Sequence, residues 1–171
     1  MVNLSVMGRS PEGLIFTNIP YLSYSYKTFK DNLPCKGLKV EEKCGRPSAE
    51  HLDEAVWHKI AGMSAKDIIH RFQIKERGLK GFVKAMQYCP WTMIVGYCIE
   101  EMEDEVILTV PQCITQVARV KQGLPEFFCR NMHLKEFESF AHAVDKDIKV
   151  ECIFAPPDHP ADCFCKWRFY M

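Results

Sequence analysis

The hydrophobic period of this chain changes twice near its middle, at Pro90 and at Pro111. Before Pro90, GLKGFVKAMQY sets Leu79, Phe82, Val83 and Met86 on one helical face. Between the two prolines the pattern alternates. TMIVGYCIEEM puts Met93, Val95, Tyr97 and Ile99 on one side, and EVILTV returns with Val106, Leu108 and Val110 after a turn at Glu103-Asp104. This predicts a β-hairpin with one buried face, its strands near 92–102 and 105–111.

The flanks read as helix and then strand again. KGLKVEEKC is a short helix closed by Gly45, and Ser48 as N-cap opens a long helix. Leu52, Val56, Ile60 and Met63 form that helix's apolar stripe, extended by Ile68, Ile69 and Phe72. After Pro111 a helix starts near Gln112, with Cys113, Gln116, Val117 and Val120 on one face, and ends at Gly123 and Pro125. The loop LPEFFCR carries Cys129. Asn131 then caps a helix striped by Leu134, Phe137, Phe140, Ala141 and Val144.

Two more strands, near 147–155 and 162–170, flank the proline-rich APPDHPAD. Simple antiparallel pairing sets Phe154 opposite Cys163 and Cys152 opposite Cys165. The expected fold is α+β: an antiparallel four-stranded sheet in ββαα-ββ order, with the N-terminal helices packed against it. Residues 1–35 read as an irregular arm and 36–171 as one domain.

Charge narrows the partners. Twenty-two basic residues balance twenty-two acidic ones, which gives no attraction to nucleic acid or to an anionic membrane. No apolar run approaches the ~20 residues of a membrane span, and the N-terminus lacks a secretory pattern, so a cytoplasmic protein is expected. In that compartment the nine cysteines are free thiols or metal ligands. There is no GxGxxG, P-loop, HExxH or GxSxG. His51, His58 and His70 are too far apart along their helix to form a metal pair.

The cysteines gather in the C-terminal third. Cys113 falls in the first turn of a helix, where the dipole favours thiolate, Cys129 lies in a loop, and Cys152 and Cys165 share a sheet face. A helix packed on that face would bring the four together as ligands for zinc or an iron–sulfur cluster. If they are only core, each is a small buried hydrophobe. Gln116, Arg119, Arg130, His133 and Trp167 are the candidate contacts for a small-molecule ligand.

VEEKCG, LDEAVW, CITQVARVKQGLPEFFCR and FAHAVDKDIKVECIFAPPDHPADCFCKWRF together resemble a family of small uncharacterised cytosolic proteins of bacteria and archaea. The family's recurrent positions fall on Cys113, Gln116, Arg119, Gly123, Pro125, Cys129, Cys152, Pro156, Pro157, Asp158, Cys165 and Trp167. More distantly, the C-x-W-x-F ending is similar to vinyl-reductase-type ligand-binding domains and to the L-2-amino-thiazoline-4-carboxylate hydrolase family. That likeness implies a small-molecule- or metal-binding sensory domain that forms a homodimer. The alternative it implies is a cysteine-dependent hydrolase of a thiazoline- or amidine-like substrate. In that case His133 or His159 would be the base, Asp158 its orienting partner, and Arg119 and Arg130 a carboxylate clamp.

Overall fold

The structure is a computed structural model, and it describes residues 38–171. The expected arm over 1–35 lies outside the described residues. A short helix, α1 (38–44), ends at Gly45, whose φ of 80° suits the residue that follows a helix. Gly45 also serves as N-cap of α2 (Arg46–Arg71), so the chain restarts without using Ser48 as a cap. Then come α3 (Gly78–Gln87), a single π-helical turn (Thr92–Gly96), β1 (Cys98–Glu101) and β2 (Glu105–Val110). The chain continues through α4 (Ile114–Lys121), α5 (Arg130–Val144), β3 (Lys149–Phe154) and β4 (Cys165–Tyr170).

The four strands form one antiparallel sheet in the order β1-β2-β4-β3. The expected α+β class and sheet are therefore what the chain adopts. Val106, Leu108, Val110, Cys165, Trp167 and Phe169 turn to the inner face and are buried. Phe82 of α3 packs on Phe169 at 4.3 Å between ring centroids, and Phe137 of α5 packs on Trp167 at 5.2 Å. The core thus sits between the central strands and the helix pair α3 and α5.

Besides the Ser48 cap, four local expectations fail. First, residues 92–96 are not strand. The Tyr97 N–H bonds to the Thr92 carbonyl at 3.1 Å, five residues back, which makes the π turn and leaves β1 only four residues long. Met93 is exposed while Thr92, Ile94 and Tyr97 are buried. Second, the predicted α2 stripe faces out: Leu52, Val56 and Ile60 are between 43% and 49% exposed and Met63 is 62% exposed. The buried face carries the small residues Ala49, Ala61 and Ala65, with Ile68.

Third, β3 and β4 pair two residues out of the expected register. Cys152 faces Trp167, and Cys165 faces Val110 of β2. A bulge between Cys152 and Phe154 then sets Phe154 opposite Lys166. A two-residue slip preserves which side chains point inward, so the faces were right and the partners wrong. Fourth, two caps move. α4 begins at Ile114 with Cys113 as its N-cap residue, and α5 begins at Arg130 with Cys129, not Asn131, as N-cap.

Candidate functional site

The motif from Cys113 to Cys129 builds a clasped loop. Gln116 is only 2% exposed and holds the Phe127 peptide from both sides: its Nε2 donates to the Phe127 carbonyl and the Phe127 N–H donates to its Oε1, each at 2.9 Å. Arg119 donates to the Pro125 carbonyl at 3.1 Å, lies over the Phe127 ring and pairs with Glu41 of α1 at 2.5 Å. Arg46 of α2 donates to the Glu126 carbonyl at 2.8 Å. His159 reaches the Glu126 carboxylate at 3.1 Å. These contacts tie residues 124–129 to α1, α2, α4 and the 156–164 connector. Gln116 and Arg119, expected at a ligand, are spent on this clasp.

The clasp delivers Cys129 to the start of α5. Cys129, His133 and Glu136 are spaced i, i+4 and i+7, one stripe of the helix. The Cys129 sulfur accepts a hydrogen bond from Gln116 Nε2 at 3.6 Å and is in hydrogen-bond contact with the His133 ring. His133 Nδ1 is 2.6 Å from Glu136 Oε2. Glu136 is 6% exposed and Cys129 5%, whereas the His133 side chain keeps 22% exposure. Burial pushes the imidazole pKa down, but the Glu136 carboxylate and the bonds to Cys129 and Glu136 outweigh it and hold the ring well above an ordinary histidine. At neutral pH the corner is therefore an imidazolium beside a carboxylate and a sulfur.

Other groups close around it. Asp53 of α2 acts on His133 electrostatically and is hydrogen-bonded to Trp57; burial raises its pKa and these two contacts oppose the rise. Burial also pushes Cys152 up and takes the Cys165 thiol to about 12 and the Cys89 thiol to about 11. These three are neutral thiols at physiological pH. Trp167 is fully buried, its ring edge-on to His133 at 6.3 Å. Its indole N–H finds no nitrogen or oxygen acceptor and is directed to the Cys165 sulfur, a weak one.

The four expected cysteines do share one neighbourhood. Cys129 acts electrostatically on Cys152 and Cys165, and Cys113 acts on Cys165. Arg130 acts on Cys152 as well. Among the described residues, however, no group of three or more His, Cys, Asp or Glu side chains is arranged to hold a metal ion. Cys113 instead bonds to Thr115 Oγ1 at 3.0 Å. His159 is not placed to serve a thiol as base: its ring faces the Pro160 and Cys163 carbonyls and Glu126, and stacks on Phe164. Glu136 and Asp53 went unnoticed in the sequence. C-x3-H-x2-E at helical spacing would have shown Glu136, but nothing local shows Asp53, seventy-six positions before Cys129.

The fold and site are those of a small α+β domain with an open antiparallel sheet and a polar corner beneath its helices. A solved structure with this fold is a trafficking protein particle complex subunit 3 from Naegleria fowleri covalently bound to palmitic acid. Its TM-score is 0.54 at 11% sequence identity, and the match covers 84% of this chain and 95% of that one. At such identity the likeness shows the fold alone. It is a trafficking subunit rather than a vinyl-reductase-type domain or a thiazoline hydrolase. No curated protein matches the chain. Over residues 29–171 the chain matches the model of a family of unknown function, DUF6125, and it belongs to that family. Among the described residues no helix is long and apolar enough to cross a membrane.

Proposed function

We propose that this chain is a small-molecule-binding domain whose ligand seats at the Cys129–His133–Glu136 corner. The observation that carries this is the corner itself. A thiol, an imidazolium and a carboxylate line one helix face in an interior where ionised groups are expensive. Replacing a buried ion pair by apolar residues is often neutral or stabilising, so stability alone gives little reason to keep it. Perturbed ionisable groups of this kind concentrate at functional sites. Phe137 and Trp167 beside the imidazole suit an apolar ligand body. The Naegleria subunit, built on the same fold and covalently bound to palmitic acid, supports a ligand with an acyl head and an apolar tail.

The test is native mass spectrometry of the full chain with octanoate and with palmitate, alongside iodoacetamide labelling mapped by peptide. The expected result is one bound equivalent, lost in His133→Gln, and protection of Cys129 with no protection of the exposed Cys44. No binding of either probe, together with unchanged labelling of Cys129, overturns the reading.

A further inference from the structure

The geometry points to Cys129 as a covalent attachment site, a nucleophilic thiol that takes an acyl group from an acyl thioester and keeps it. This rests on the ligand-binding reading above and adds a bond to it. Of the described cysteines, Cys129 is the one in hydrogen-bond contact with both an imidazole and a side-chain amide. It also stands at the N-cap position of the fifteen-residue α5, one turn before His133 on the same stripe. A second observation lies in the same wall: the indole N–H of Trp167, whose ring stands edge-on to His133, has no oxygen or nitrogen acceptor and only the Cys165 sulfur to meet. The thiol is 5% exposed, so a reagent arrives over the His133 edge, which is the open member of the corner.

The step balances without an outside oxidant or reductant. The His133 ring already carries both its protons, held toward Glu136 and Cys129, so the Cys129 proton leaves to solvent and the sulfur stands as a thiolate beside the imidazolium. The thiolate attacks the thioester carbonyl, forming the new S–C bond. The tetrahedral adduct collapses by breaking the bond to the leaving sulfur, and the His133 imidazolium gives that thiolate a proton and regains one from solvent. The products are an acylated Cys129 and a free thiol. One thioester bond is exchanged for another, so the energies nearly cancel and the acyl chain's apolar contacts decide where it stays. Cys129 and His133 are the catalytic residues. Glu136 acts through His133 and is a positioning residue.

The experiment incubates the folded full chain with the octanoyl thioester of N-acetylcysteamine and follows intact mass. The expected result is one hydroxylamine-labile octanoyl group per chain, mapped to Cys129 and absent in Cys129→Ser. His133→Gln slows its formation about a hundredfold, the usual size of a general acid–base contribution. Glu136→Gln moves the pH profile of acylation to lower pH, because the carboxylate that raises the imidazole is gone; Asp53, Cys152 and Cys165, which also face the ring, stay in place. A merely structural role for Glu136 would lower the rate without moving the profile. Should Cys129→Ser not fold, the His133→Gln rate on an intact thiol still decides. Acylation at Cys44 first, or an unchanged rate in His133→Gln, overturns the proposal. Octanoate that protects Cys129 while no thioester forms overturns the covalent step and leaves the binding reading standing.

Discussion

Gly62 of α2 lies against Ser139 of α5 so closely that a Cβ built on the glycine would stand 2.6 Å from the Ser139 hydroxyl and 3.4 Å from its carbonyl oxygen. The two longest helices pack along small residues, which is why Ala49, Ala61 and Ala65 are buried while larger side chains of α2 face outward.

Two helical glycines should therefore respond unequally to alanine. At Gly62 the obstacle is a hydroxyl that can rotate, and alanine also gains about 1 kcal/mol of helix propensity. Gly62→Ala is expected to change stability by less than about 1 kcal/mol. At Gly81 the new methyl would collide with the Glu76 backbone carbonyl, with Val144 Cγ1 only 3.0 Å away. A backbone cannot rotate aside, so Gly81→Ala should cost roughly 1–3 kcal/mol or more despite the same propensity gain. Urea unfolding of both variants checks the order, and equal losses would contradict it.

The outer face of α2 gives the converse. Leu52 and Val56 are each 49% exposed, so truncation to alanine removes little buried area. Each should cost the monomer under about 1 kcal/mol, far below the roughly 2–5 of a core leucine. Ala65→Leu, by contrast, forces a large side chain into the α2–α5 seam at a site with no exposure and should cost about 1–3 kcal/mol. Chemical denaturation at low protein concentration separates these.

Arg119 and Glu41 are 7% and 16% exposed, and the guanidinium also holds the Pro125 carbonyl. The arginine holds the Glu41 carboxyl below the usual carboxylate range, first through its hydrogen bond. Removing one partner of a buried pair leaves an uncompensated charge, so Arg119→Ala should cost about 3 kcal/mol. Arg119→Lys should recover only part, since one ammonium cannot serve two carboxylate oxygens and a carbonyl in the same fork. Limited proteolysis should cut the 122–129 loop sooner in both variants, and an unchanged cleavage pattern would argue against the clasp.

Much of this was visible in the sequence where period carries the information. Alternation marked β2, β3 and β4, and the faces survived the register error because the slip was even. The α2 error has a different origin. Its large apolar residues recur at helical spacing, yet the neighbouring helix selects the face that lets backbones approach, and that face is written in alanine and glycine. The site was half legible. The sequence marks four cysteines as metal ligands and His133 as a ligand contact or base, without joining Cys129 to His133. The carboxylates around His133 are placed by packing: Asp53 comes from another helix, and the i+3 relation of His133 to Glu136 is informative only once Glu136 is known to be buried.

That ion should be visible in how stability depends on pH. A histidine whose pKa is higher folded than unfolded contributes stability that is complete below the unfolded value, near 6.5, and is lost as pH rises through the folded value. His133 and His159 are both raised, so wild-type stability should fall as pH rises above 6.5. The other shifted groups titrate elsewhere. Asp53 is raised from 3.8, so its penalty develops as pH rises from about there, and the buried thiols Cys89 and Cys165 cost stability only above about pH 9, where the unfolded thiols ionise. Between pH 6.5 and 9 the difference in unfolding free energy between wild type and His133→Gln thus isolates one imidazole. It should be largest at the acid end and shrink with rising pH, by about 1.4 kcal/mol for each unit by which the folded pKa exceeds the unfolded one. Guanidinium unfolding of both proteins at four pH values measures it. A difference that stays flat across the window would mean that His133 is neutral in the folded chain and that Glu136 does not hold it as an ion.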